Sequence, residues 1–153
     1  MTQIWFYHLE SRPLESVLPV LVQKCLGQSW NAVVETTGED RLTALDDLLW
    51  TFSDDSFIPH GTRRDGNAER QPVWLTTSPE NPNAAKVRFC VDGADPSASL
   101  ASEPPYSRIF VLFDGRDEDA LVTARQQWSA LKGSPHERVY WKMNEDGVWQ
   151  KKA

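Results

Sequence analysis

Cysteine is scarce in this chain of 153 residues: there are two, Cys25 and Cys90, in no metal-binding or redox spacing. One lies in a helix-like run and the other in a strand-like run, so both read as small buried hydrophobes. No apolar run approaches the ~20 residues that cross a bilayer. The opening Met-Thr-Gln-Ile-Trp-Phe lacks the charged region, apolar core and small-residue cleavage site of a signal peptide. A cytoplasmic protein without membrane contact is expected. Neither G-x-x-x-x-G-K-[ST] nor G-x-G-x-x-G occurs, so no phosphate cradle and no nucleotide cofactor is implied. The histidines, His8, His60 and His136, show neither ligand spacing nor an accompanying nucleophile motif. No bound metal is expected.

Basic residues are also in short supply. Lys and Arg number 16 against 22 Asp and Glu, a net charge of −6, which argues against tight direct binding to DNA, where phosphates must be neutralised. The distribution is uneven. Residues 125–153 hold six basic residues (Arg125, Lys132, Arg138, Lys142, Lys151, Lys152) against three acidic ones, a balance of +3 that leaves −9 for the preceding 124. A basic end on an acidic body suits an acidic polypeptide partner.

What is present is an alternation of strand and helix patterns. Strands are expected at Ile4–Leu9, Ala32–Glu35, Val73–Thr76, Val87–Val91, Arg108–Phe113 and Glu137–Trp141. The fifth is the most continuous apolar run and therefore the expected centre of the sheet. Helices are expected at Leu14–Leu26, interrupted by Pro19, at Leu42–Trp50, and at Asp117–Leu131, whose acidic first turn and following Gly133 suit a helix. Val148-Trp149-Gln150, after the Asp146-Gly147 turn, forms a short strand or arm. Residues 61–71, 78–83 and 92–107 read as loops. The pattern predicts a single α/β domain over residues 1–153, a three-layer α/β/α Rossmann-like open sheet, mostly parallel.

Three sets of residues could carry function. On the second helix Leu42, Leu45 and Leu49 share one stripe, while Trp50 sits roughly 80° to 100° away. Phe57, Ile58, Pro59 and His60 follow closely, so Trp50 and this segment form a candidate partner surface. The structural alternative is a satellite cluster in which Trp50 and Phe57 cover each other. On the last helix Trp128 flanks the buried stripe of Ala120, Ala124 and Leu131, with Arg125 and Lys132 along the same edge. An indole framed by cations suits a peptide ending in an apolar side chain and a carboxylate; a half-buried core Trp with snorkelling neighbours is the alternative. Finally, Asp92 and Asp114 each end an apolar run and precede a glycine. Strand ends of a parallel sheet converge on a crevice, and two carboxylates there would allow a small metal-dependent hydrolase or nucleotide-binding enzyme.

The stretch Leu45-Asp-Asp-Leu-Leu-Trp50 followed by Ser56-Phe-Ile-Pro-His60 resembles the chi subunit of bacterial DNA polymerase III, an accessory protein of the clamp loader. So do Ile4-Trp5-Phe6-Tyr7-His8-Leu9, Arg70-Gln-Pro-Val-Trp-Leu75, Val111-Leu-Phe-Asp-Gly115 and Ala124-Arg125-Gln-Gln-Trp128. The resemblance implies a non-catalytic subunit of the replicative polymerase that links the clamp loader to single-stranded DNA-binding protein. It implies that Trp50 and Phe57, with Ile58, Pro59 and His60, receive the psi subunit or an equivalent partner. It implies further that Arg125 and Trp128 belong to the pocket for the acidic C-terminal tail of single-stranded DNA-binding protein. Ser129 stands where the family pattern has a lysine, and Lys132, one turn on, is the candidate replacement.

Overall fold

Residues 2–53 and 58–153 are described in a computed structural model. The strands are β1 (Gln3–Leu9), β2 (Ala32–Glu35), β3 (Val73–Thr76), β4 (Val87–Cys90), β5 (Arg108–Asp114), β6 (Glu137–Met143) and β7 (Trp149–Lys151). They hydrogen-bond in the order β3-β2-β4-β5-β1-β6-β7. All neighbours are parallel except β6 and β7. The most continuous apolar strand, β5, does occupy the centre. Buried on both faces, it has little room for polar residues between its ends.

Among the described residues three α-helices cover the faces: α1 (Leu14–Gly27), α2 (Glu39–Thr51) and α3 (Glu118–Ala130). Val17, Leu18 and Val22 of α1 and Leu42, Leu45 and Leu49 of α2 join one core with Tyr7, Val34, Phe89 and Leu112. Ala124 of α3 and the following Leu131 join a second core with Ile4, Phe6, Ile109 and Val111. Alternate residues of the same strands feed the two cores, which is the period-2 signature of a sheet between two layers. The three-layer α/β/α arrangement follows.

Several boundaries differ from the sequence expectation. The first helix is not interrupted: α1 runs unbroken through Pro19, which is buried. The apolar stripe around Pro19 packs on the sheet, and that packing carries the helix past one missing donor. The last helix starts one residue later than expected, because Asp117 is its cap: the carboxylate accepts the backbone N–H groups of Asp119 and Ala120 at 3.0 and 3.4 Å. That helix ends at Ala130, so Lys132 lies just beyond it. The expected loops contain short 3₁₀ turns at Ala68–Arg70 and Ser97–Ala101. Both cysteines are buried and free, and burial pushes the Cys25 thiol up to about 11.

Candidate functional site

The Trp50 surface is built on one helical turn of α2. Trp50 is 54% exposed. Four residues earlier, on the same edge of the helix, Asp46 accepts from His60 Nε2 at 2.8 Å. The other ring nitrogen, Nδ1, lies 2.7 Å from the carbonyl of Ile58. The indole of Trp50 meets the imidazole at 5.0 Å between centroids with a 63° interplanar angle. Asp46 and Trp50 thus hold His60 from two sides. Next to it Gly61 bridges Trp74 on the outer edge of β3: its N–H donates to the Val73 carbonyl at 3.0 Å and its carbonyl accepts from Leu75 at 2.9 Å.

The predicted partner residues therefore divide. Trp50 and Pro59 are exposed, whereas Ile58 is wholly buried in the core and the His60 side chain is closed off from solvent. Ile58 and His60 fasten the segment; they are not part of its outer face. Phe57 lies outside the described residues. Asp46 was missed by sequence reasoning, although its place one turn before Trp50 was the available signal.

The second surface lies between α3 and β6. The Trp128 ring makes edge contacts with Phe6 at 5.3 Å and Tyr140 at 5.6 Å. The guanidinium of Arg138, from β6, sits over it at 4.2 Å from the ring centroid. Arg138 Nη1 also donates to the Trp128 carbonyl at 2.5 Å. Trp128 is half-buried, with Arg125 and Lys132 exposed to either side along the chain. Among the described residues none of Arg125, Lys132 and Arg138 is within salt-bridge distance of a carboxylate. Arg138 and Tyr140 are the contributors that helix-based reasoning missed. Their signal was the alternation Arg138-x-Tyr140-x-Lys142, which puts three polar-tipped side chains on one face of β6.

Beneath this surface His8 is tied in on both sides. Its Nδ1 is 2.7 Å from the Tyr140 hydroxyl and its Nε2 is 3.0 Å from Glu10 Oε1. Burial, the largest influence, lowers the His8 pKa from its ordinary 6.5, and the charge of Arg125 pushes the same way. Burial likewise raises the Tyr140 hydroxyl.

Asp92 and Asp114 do line one crevice, of about 470 Å³, at the ends of the central strands. Each carboxylate is engaged locally. Asp92 Oδ2 accepts from Thr36 Oγ1 at 2.6 Å and Arg41 Nε at 3.0 Å. Asp114 Oδ1 accepts from the backbone and Nε of Arg116 at 2.9 and 3.3 Å. Among the described residues no three His, Cys, Asp or Glu side chains cluster so as to hold a metal ion.

Fold and surfaces define a small Rossmann-like α/β domain whose distinctive side chains lie on two outer surfaces. A family model for the DNA polymerase III chi subunit, HolC, matches residues 1–138, and the chain belongs to that family. It is 30% identical over 110 residues to a probable DNA polymerase III subunit chi of Rickettsia prowazekii (strain Madrid E). That alignment covers 72% of this chain and 66% of the relative, so the chain spans just under two thirds of the relative's length. Among solved structures, the C-terminal domain of the DEAD-box protein Dbp5 is similar in fold. It matches with a TM-score of 0.53 over 92% of this chain and 90% of that one, at 14% identity. No helix among the described residues is long and apolar enough to cross a membrane.

Proposed function

We propose that this protein is a non-catalytic accessory subunit of the replicative DNA polymerase, bridging two protein partners during DNA replication. The Trp50–Pro59 surface, with Phe57, engages the clamp loader through the psi subunit or an equivalent protein. The Arg125–Trp128–Lys132 surface holds the acidic C-terminal tail of single-stranded DNA-binding protein. Membership of the chi family supports the role.

The observation that carries the bridging reading is the separation of the two surfaces. One sits at the β3 edge on the α2 face, the other on β6 beneath α3, five strands along the sheet order. At the usual strand spacing that is roughly 24 Å across the sheet, enough for both partners to bind at once. A bridge of this kind tethers the polymerase by raising effective concentration, without itself gripping DNA.

The test is a pair of variants read against both partners. Trp50→Ala should weaken clamp-loader association by about 2 kcal/mol or more, as truncation of an interface aromatic does, and leave tail-peptide binding unchanged. Arg125→Glu should do the reverse. Calorimetry with a tail peptide and co-purification with the clamp loader give the two readouts. If either variant weakens both partners equally, or neither partner binds the wild type, the bridging reading is wrong.

A further inference from the structure

We propose that Arg138 is a specificity-determining residue of the tail pocket and the one that receives the terminal carboxylate of the bound peptide. The inference rests on the tail-binding reading above and assigns a contact within it. Three observations on this chain lead there.

First, of the three cations near Trp128, Arg138 is the one whose charge stacks on the indole, at 4.2 Å from its centroid; Arg125 lies one turn earlier on α3 and Lys132 beyond the helix end. A peptide whose last side chain packs on that indole carries its carboxylate on the same residue, within one residue's reach of the ring. Second, Arg138 is half-buried while Arg125 is exposed. A charge-assisted bond gains strength as water is withdrawn and as a planar fork grips two oxygens at once. Among the described residues Arg138 spends one donor, Nη1, on the Trp128 carbonyl, leaving further N–H groups of its fork for an anion.

The third observation removes an objection. Trp128 lies in the last turn of α3, and the free carbonyls of a helix C-terminus repel an anion. This helix has no basic residue in its own last turn. Arg138 supplies the cation from β6: its guanidinium bonds the Trp128 carbonyl, which also accepts the Leu131 N–H, and its charge offsets that repulsion. Arg125, one turn earlier and exposed, is then left to the acidic side chains of the tail. In this chain, with Ser129 on the helix surface, the basic contribution moves from the helix to the neighbouring strand.

The experiment is a double-mutant cycle on the full chain. The probe is a synthetic C-terminal peptide of single-stranded DNA-binding protein, with a free or an amidated terminus. Affinity is measured by calorimetry and folding by thermal melting. Arg138→Gln and amidation should each weaken binding by about tenfold or more, and the combination should cost little beyond either alone. Arg138→Lys keeps the charge but loses the fork, and should recover only part of the affinity. Arg125→Glu and amidation, in contrast, should be additive. If Arg138→Gln lowers the melting temperature but leaves affinity unchanged, or if its loss simply adds to that of amidation, Arg138 does not contact the carboxylate. That result leaves the tail-binding reading standing; the reading itself fails if the wild type does not bind the free-acid peptide.

Discussion

Arg88 carries its charge where no solvent reaches it. It projects from β4 and is fully buried, and its guanidinium is satisfied on every side: by Glu35 Oε1, by the Ser78 and Glu80 carbonyls, and by the Tyr106 hydroxyl. The partners come from β2, from the turn after β3 and from the segment before β5. One side chain therefore pins two irregular segments onto the β2–β4 part of the sheet. Removing one member of such a pair leaves the other buried without compensation, which typically costs about 3–5 kcal/mol. Arg88→Met should lose roughly that much stability in urea unfolding, whereas Arg88→Met combined with Glu35→Leu should be distinctly less harmful. Equal losses in the single and double variants would show that the pair itself is not what matters. The arginine was not legible as such a hub. Within Val87-Arg88-Phe89-Cys90 it reads as the outward residue of an alternating strand, and only the long-range path of residues 78–106 turns that outward face into an interior. Trp50 was legible, because helical geometry alone sets it apart from the leucine stripe. The inward role of His60 was not, since it depends on the loop folding back to β3.

At the scale of elements, the junction of β1, β6 and α3 is where local pattern and tertiary placement meet. The sequence pattern places Trp128 on the flank of α3, but it does not say which strand lies beneath that flank. That depends on the crossover setting β6 beside β1, in the register His8 to Lys142. Gly115 belongs to the same junction: a Cβ there would come within 1.9 Å of His8 Nε2, so the chain leaving β5 can close over the imidazole only as glycine. His8 is consequently held in place by Tyr140, Glu10 and Gly115 together. Its pKa in the fold lies below the ordinary 6.5, chiefly through burial. Protons therefore bind the unfolded chain more readily than the folded one. The stabilising contribution is complete above the ordinary pKa and is lost as pH falls below it. Tyr140, Glu10, Lys142 and Arg125 are the other ionisable groups acting on this imidazole or its partners. In melts taken between about pH 7 and 5, His8→Gln should show a shallower acid-side loss of stability than wild type. An unchanged slope would assign that loss to other groups.

Across the whole molecule the decisive quantity is where the charge lies. A net −6, divided as −9 over residues 1–124 and +3 over 125–153, gives an acidic body with one cationic corner. That corner contains Arg125, Lys132 and Arg138, which are free of carboxylate partners among the described residues. A polyanion could respond to it in two ways. Single-stranded DNA binding of useful strength needs a basic groove long enough to track the backbone, with aromatic faces open for base stacking. Here the corner offers a single half-buried indole, Trp128, partly overlaid by Arg138, room for one apolar side chain but too short a platform for successive bases. The acidic body repels any strand that runs beyond the corner. A short acidic peptide meets no such penalty, because it ends where the positive charge ends. At physiological ionic strength charges beyond about 8 Å are screened, so the repulsive body is felt less by a compact ligand than by an extended one lying along it. In a mobility-shift assay at about 0.15 M salt and ~10 μM protein, a bare oligonucleotide should show no retained complex. Under the same conditions the acidic peptide should bind and should weaken steadily as salt rises. Tight, salt-sensitive retention of the oligonucleotide, competed away by the peptide, would mean that the corner is a nucleic-acid site, and the division of charge would have to be read the other way.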